Sequence, residues 1–200
     1  MPDDPYAEGV SRLLTPGERL LAVTRADVAA GVTAPEPPAG PDADAGAGAG
    51  GGPGPLGILL NVLSPLVVFA TGDRLVDRVL YGVAGRGVPG SAASRLALAD
   101  RQVATRPGLR ERVLAATDRR LLLCVTGPTS IWSGNSDPSA AELEVAWSVP
   151  RAAVAVARVG WHRLNPKRLR IDFTDGSWAA FTVPIAQSGD PLRGIAAALT

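Results

Sequence analysis

From Gly108 to Val183 the apolar residues recur mostly with period two, which limits this part of the chain to a largely β architecture. The stretch Arg112–Gly127, RVLAATDRRLLLCVTG, is its clearest unit. Two apolar runs, Val113–Ala116 and Leu121–Val125, flank Thr117-Asp118-Arg119-Arg120, and Asp is a good first residue for a tight turn. The runs are too short for independent helices, so they predict a β-hairpin with a polar tip and a fully apolar second strand. In Glu142–Val149 alternation assigns Leu143, Val145, Trp147 and Val149 to one face. Ala152–Val159, rich in Ala and Val, reads as a strand covered on both faces. Lys167–Thr174 alternates again, with Leu169, Ile171 and Phe173 inward and Arg168, Arg170 and Asp172 outward. Asp175-Gly176 suits a two-residue type I′ turn, which would set Phe173 opposite Trp178 on the core face.

Upstream the pattern differs. Ala7–Leu14 suits a short helix ahead of the Thr15-Pro16-Gly17 turn. Glu18–Val28 reads as a strand with Leu21, Val23 and Ala26 toward the core, although alternation slips at Ala26–Val28. Gly31–Pro55 is dominated by Gly, Pro and Ala, buries almost nothing, and reads as a flexible linker. Leu56–Ala104 is helical in pattern: an apolar segment that Pro65 ends or kinks, an Asp73-capped helix with Leu75, Val76, Val79, Leu80 and Val83 in one stripe, and a Ser91-capped helix with Leu96 and Val103. At the far end Asp190 is placed as the N-cap and Pro191 at N1 of a helix lined by Leu192, Ile195 and Leu199. The expected organisation is one β domain from residues 1–30 and 108–200, a 31–55 linker, and a 56–107 helical insertion between strands one and two.

Seven strands and a closing helix suit a barrel or orthogonal sandwich. Four segments, LLTPGERLL (13–21), VLAATDRRLLLC (113–124), VPRAAVAVARV (149–159) and LRIDFTDGSWAAFTVP (169–184), resemble the bacterial pleckstrin-homology-like (PH-like) domains, close to GRAM-like modules. The resemblance covers roughly 110 residues. It implies a mainly β fold with α, a seven-stranded antiparallel barrel or orthogonal sandwich closed by a C-terminal helix, with ligands at an open loop rim. The chain departs from the family at 31–107, where the family has a short first connection. In an antiparallel meander that insertion and the 127–141 loop fall at one end, so elaborated loops cluster on one rim, where binding tends to reside.

Net charge is +1, so no global field recruits nucleic acid. The single cysteine, Cys124, sits in an apolar run and reads as a buried thiol in a reducing compartment. The longest uncharged apolar run, Leu56–Ala70, is about 15 residues, short of the roughly 20 that span a bilayer, so no transmembrane segment is expected. A cytoplasmic protein, able to sit at the membrane periphery, follows. With one histidine and one cysteine the chain cannot build a His/Cys metal site, and no carboxylates converge in sequence, so neither enzyme activity nor a cofactor is expected. Gly85-Arg86-Gly87-Val88-Pro89-Gly90 matches G-x-G-x-x-G, but a helical pattern precedes it where a dinucleotide site needs a strand.

The positive candidates are basic and aromatic. Arg151–Ile171 carries Arg151, Arg158, His162, Arg163, Lys167, Arg168 and Arg170 with no acidic residue. Arg158, His162, Arg163, Lys167 and Arg168 could face an anionic lipid surface or an acidic partner; the plainer reading is a solvated strand face. Trp132, in the polar 127–141 loop, is either an exposed anchor or a core residue. The phosphoinositide motif of PH domains needs basic residues across the first two strands, and Arg25, Arg110 and Arg112 are too sparse to carry it. The expectation is therefore a non-catalytic binding or scaffolding module for a protein partner or an anionic membrane surface. A homo-oligomerising structural unit is the alternative.

Overall fold

The computed structural model describes residues 4–29, 32–33, 83–108, 110–127, 142–162, 165–183 and 188–200. In chain order the elements begin with α1 (Ala7–Ser11), β1 (Leu20–Arg25), β2 (Asp27–Val28), β3 (Val32–Thr33), β4 (Val83–Arg86) and α2 (Ala92–Ala104). They continue with β5 (Arg112–Thr117), β6 (Arg120–Thr126), β7 (Leu143–Pro150), β8 (Val154–His162), β9 (Asn165–Phe173), β10 (Trp178–Thr182) and α3 (Asp190–Leu199). The first sheet runs β1-β5-β6-β7 and the second β3-β4-β10-β9-β8, with β2 also on β10. Pairing is antiparallel except between β3 and β4. Among the described residues the fold is mainly β with a C-terminal helix, and the two sheets do not close into a barrel.

Two corners join the sheets. The expected strand Glu18–Val28 divides at Ala26: β1 pairs with β5 in the first sheet and β2 with β10 in the second. The slip in alternation at Ala26–Val28 is the trace of that crossing. At the other corner, Arg151–Ala153 forms a single 3-10 turn that carries β7 into β8. The main core lies between the sheets, where Leu114, Leu121, Leu123, Trp147, Leu169, Ile171, Phe173 and Phe181 meet. Helix α3 brings Leu192, Ile195 and Leu199 into it and packs on β1, β5, β8 and β9. Helix α2 brings Ala92, Ala93, Leu96 and Ala99 and packs on β7, β10 and β4.

Both β5 and β6 are apolar at nearly every position because both faces of the first sheet are covered. Leu114, Ala116, Leu121 and Leu123 face the main core, while Val113, Ala115, Leu122 and Cys124 join Tyr6, Val10 of α1, Leu20, Val23 and Leu143 in a second cluster. Each leucine so buried contributes roughly 1.5–3 kcal/mol.

Single-residue irregularities overturn several face assignments. An extra residue in β1, between Leu20↔Thr117 and Ala22↔Ala116, leaves Leu21 exposed. A bulge in β7, between Leu123↔Trp147 and Cys124↔Val145, separates Leu143 and Val145 from the face of Trp147 and Val149. Strand β8 is not covered on both sides: Ala157 is buried, whereas Ala155, Val156, Arg158, Gly160 and Trp161 are exposed. Val83–Arg86, placed by its pattern in helical sequence, is a strand paired with β10, and Val32–Thr33, within the expected linker, pairs with it. Gly189, not Asp190, is the N-cap of α3, and the Asp190 carboxylate pairs with Arg193 instead.

The β9–β10 hairpin differs most consequentially. Trp178 lies opposite Asp172, and the Phe173 amide donates to the Ser177 carbonyl at 2.8 Å, so the turn is Thr174-Asp175-Gly176. Gly176 at φ +79 supplies the left-handed residue of a three-residue hairpin. Relative to the expected two-residue turn, the register slips by one and Trp178 goes to the outer face. The aromatic partner of Phe173 is Trp147, edge-on with ring centroids 6.0 Å apart. The segments 34–82 and 128–141, with Leu56–Ala70, the Asp73 cap and Trp132, lie outside the described residues, as does Arg163.

Candidate functional site

The outer face of the second sheet gathers the chemistry. Register sets Arg158 opposite Arg170, Gly160 opposite Arg168 and Asp172 opposite Trp178, so three guanidiniums and an indole share one face across three strands. Arg170 stacks on Trp178 with its guanidinium carbon 4.3 Å from the ring centroid, and Arg168 approaches the same ring at 5.8 Å. With Val159, Gly160 and Trp161 these residues line an open cavity of about 270 Å³. A Cβ built on Gly160 meets nothing within 4 Å, so the missing side chain leaves the cavity open. Trp161 is 74% exposed at its edge.

One acid sits among these bases. Asp172 Oδ1 accepts from Arg170 Nε at 2.9 Å and Nη2 at 2.6 Å, while Oδ2 accepts from Arg158 Nη2 at 3.4 Å. A run without acidic residues in sequence thus acquires one from the strand it continues into, and part of its charge is met internally.

Of the expected basic residues, the structure brings together Arg158 and Arg168, with Arg170 beside them. Lys167 instead runs along Gly189 at the start of α3, where a Cβ on that glycine would come 3.4 Å from Lys167 Cγ. Arg151 reaches the last turn of α3 and donates to the Ala198 carbonyl, a favourable place for a cation. Trp161 and His162 end β8, and His162 pairs with Asn165. Sequence reading missed Trp178 and Trp161 as members of the face. Thr174-Asp175-Gly176 read as a three-residue turn would have found the first.

No protein-family model, curated protein or solved structure matches the chain. The site therefore has to be weighed on its own chemistry. Among the described residues no group of three or more His, Cys, Asp or Glu side chains is placed to hold a metal ion.

The Gly85–Gly90 motif begins within a strand, β4, where a helical pattern was expected, but the capped helix after it leads to β5 of the other sheet, so no βαβ unit forms. A second reason also applies. The first amides of α2 are already taken: Ala92 N donates to Asp175 Oδ2 at 2.7 Å, Ala93 N to Ser177 Oγ at 3.2 Å, and Ser94 N to the capping Ser91 Oγ at 3.3 Å. The hairpin tip occupies the position a phosphate would need. Gly87 is glycine because of that docking, since a Cβ there would lie 2.2 Å from Ser91 Oγ and 2.7 Å from Ser177 Cβ.

A second cleft, about 500 Å³ and lined by Ser11, Leu14, Thr15, Glu18, Arg19, Leu20 and Leu21, is larger. Its one buried acid, Glu18, is consumed by an internal network with Arg120, Thr15 and Thr117. The smaller, basic and aromatic cavity is the better candidate.

Proposed function

We propose that the chain is a non-catalytic, PH-like binding module of the cytoplasm that engages an anionic membrane surface through the outer face of its second sheet. The observation that carries this reading is Trp161, 74% exposed beside Arg158 and Arg170, with Arg168 itself buried at the same cavity. An exposed indole flanked by guanidiniums suits the headgroup region, where the ring meets the apolar boundary and the cations meet lipid charge. Two sheets joined at a divided first strand, with a helix at the C-terminus, support the PH-like part of the reading. No described helix is long and apolar enough to cross a membrane, so association in this reading is peripheral.

The test is co-sedimentation of the purified chain with phosphatidylserine-containing vesicles against neutral phosphatidylcholine vesicles, across a salt series. Binding is expected only to the anionic vesicles and is expected to fall with salt. Arg158→Ala should weaken it about fivefold, from about 1 kcal/mol per cation near an anionic surface. Folded protein that stays in the supernatant at low salt would sink the membrane reading and leave a protein partner as the occupant of the face.

A further inference from the structure

The shelf has a feature that membrane charge alone does not need: a resident carboxylate. Asp172 shows that Arg158 and Arg170 can converge on one anion, Arg170 at 2.6 and 2.9 Å and Arg158 at 3.4 Å. It also sets the standard an incoming ligand must beat. A carboxylate or a phosphodiester offers two charged oxygens and about one negative charge, no more than Asp172 already provides. A phosphomonoester offers three oxygens and about −1.5 to −2 charge at neutral pH, enough to serve both guanidiniums and displace the aspartate.

The rest of the cavity is shaped for what carries the phosphate. Gly160 leaves open space opposite Arg168, and Trp161 and Trp178 add apolar surface beside the cations. At about 270 Å³ the space exceeds the ~150 Å³ that holds a benzene ring, leaving room for an apolar body and its phosphate.

We infer that the Arg158–Arg170–Trp161–Trp178 cavity is a binding site for a phosphomonoester carried on an apolar body, with Asp172 as its built-in competitor. This rests on the same face as the membrane reading and names its ligand. A lipid phosphomonoester and a soluble one share the chemistry.

The experiment uses the full chain and two kinds of probe. Calorimetry with phenyl phosphate reads the soluble arm; co-sedimentation with phosphatidic acid vesicles, a monoester, against phosphatidylserine vesicles, a diester, at matched surface charge reads the lipid arm. Saturable phenyl phosphate binding is expected, tightening as pH rises through ~6, where the phosphate takes its second charge. Asp172→Asn should tighten it about fivefold, the scale of one part-exposed ion pair. Gly160→Val keeps every charge, takes up part of the open space and should weaken binding while the circular dichroism spectrum and melting curve remain those of the wild type.

Absence of phenyl phosphate binding in both wild type and Asp172→Asn overturns the inference, as does unchanged binding by Gly160→Val. Equal binding of phosphatidic acid and phosphatidylserine vesicles without phenyl phosphate binding also overturns it, while leaving the membrane reading standing. Phenyl phosphate binding that obeys the variants, with neither vesicle bound, supports the inference for a soluble ligand and sinks the membrane reading.

Discussion

Glu18 tests the physical account of the fold most directly, because one buried carboxylate ties the entry of β1 to the β5–β6 hairpin. Its side chain is 1% exposed. Oε1 accepts from Thr117 Oγ1 at 2.7 Å and Arg120 Nε at 2.8 Å; Oε2 accepts from Thr15 N at 3.0 Å, Thr15 Oγ1 at 2.9 Å and Arg120 Nη2 at 2.9 Å. Hydrogen bonds from Arg120 lead in holding the carboxyl down at about 2, against 4.5 for an ordinary glutamate. Because the folded value lies below the unfolded one, the stabilisation is fully present above pH 4.5 and is lost as pH falls toward 2. A gap of about 2.5 units corresponds to about 3 kcal/mol, in line with the roughly 3–5 kcal/mol lost when one partner of a buried pair is removed.

Glu18→Gln keeps the volume and removes the charge. Either amide orientation sets an NH2 group against two or three donors, so the variant cannot restore the network by flipping. Urea unfolding at pH 7 should show a loss of about 3 kcal/mol relative to wild type. The difference between the two proteins should then shrink between pH 4.5 and 2, as the wild-type carboxylate takes up its proton. A loss under about 1 kcal/mol at pH 7, or a difference that does not change with pH, would refute the assignment of this stabilisation to the ionised network.

Asp175→Ala removes the side chain that caps α2 from the β9–β10 turn. A cost of about 1–2 kcal/mol is expected, with faster hydrogen exchange at the Ala92 and Ala93 amides than in wild type. Exchange there that is unaltered would mean the hairpin tip does not hold the helix. Burial pushes the Cys124 thiol up to about 11, so at pH 8 a thiol reagent should label the native chain on the order of a hundredfold more slowly than the urea-unfolded chain. Rapid labelling of folded protein would contradict the second cluster beneath α1.

The legibility of this fold differs between faces and registers. Apolar runs at Val113–Ala116 and Leu121–Val125 announced a buried hairpin, because burial on both faces demands an unbroken apolar sequence whatever the register. Alternation was a weaker guide, since it groups residues by face without saying which face is inside, and one added residue reverses the grouping. The β7 bulge moved Leu143 and Val145 away from the face of Trp147, and a turn of three residues instead of two moved Trp178. These are local backbone choices, and Asp-Gly is compatible with both turn lengths. The Ser91 cap was readable because its acceptor lies within one helical turn, whereas Asp175 meets Ala92 from 83 residues away and leaves no local signal.

The candidate site depends on the less legible kind of information. Arg158 and Arg170 become neighbours only through the β8–β9 register, and the indole beneath Arg170 reaches it only because the β9–β10 turn has three residues. Had the two-residue turn formed, Phe173 and Trp178 would face each other in the core, Arg170 would lose its ring, and the shelf would be a solvated row of arginines. The same turn also presents Asp175 to the first amide of α2. One residue of turn length therefore couples helix docking on one side of the hairpin to an aromatic bed for cations on the other. A change in that turn should disturb both together.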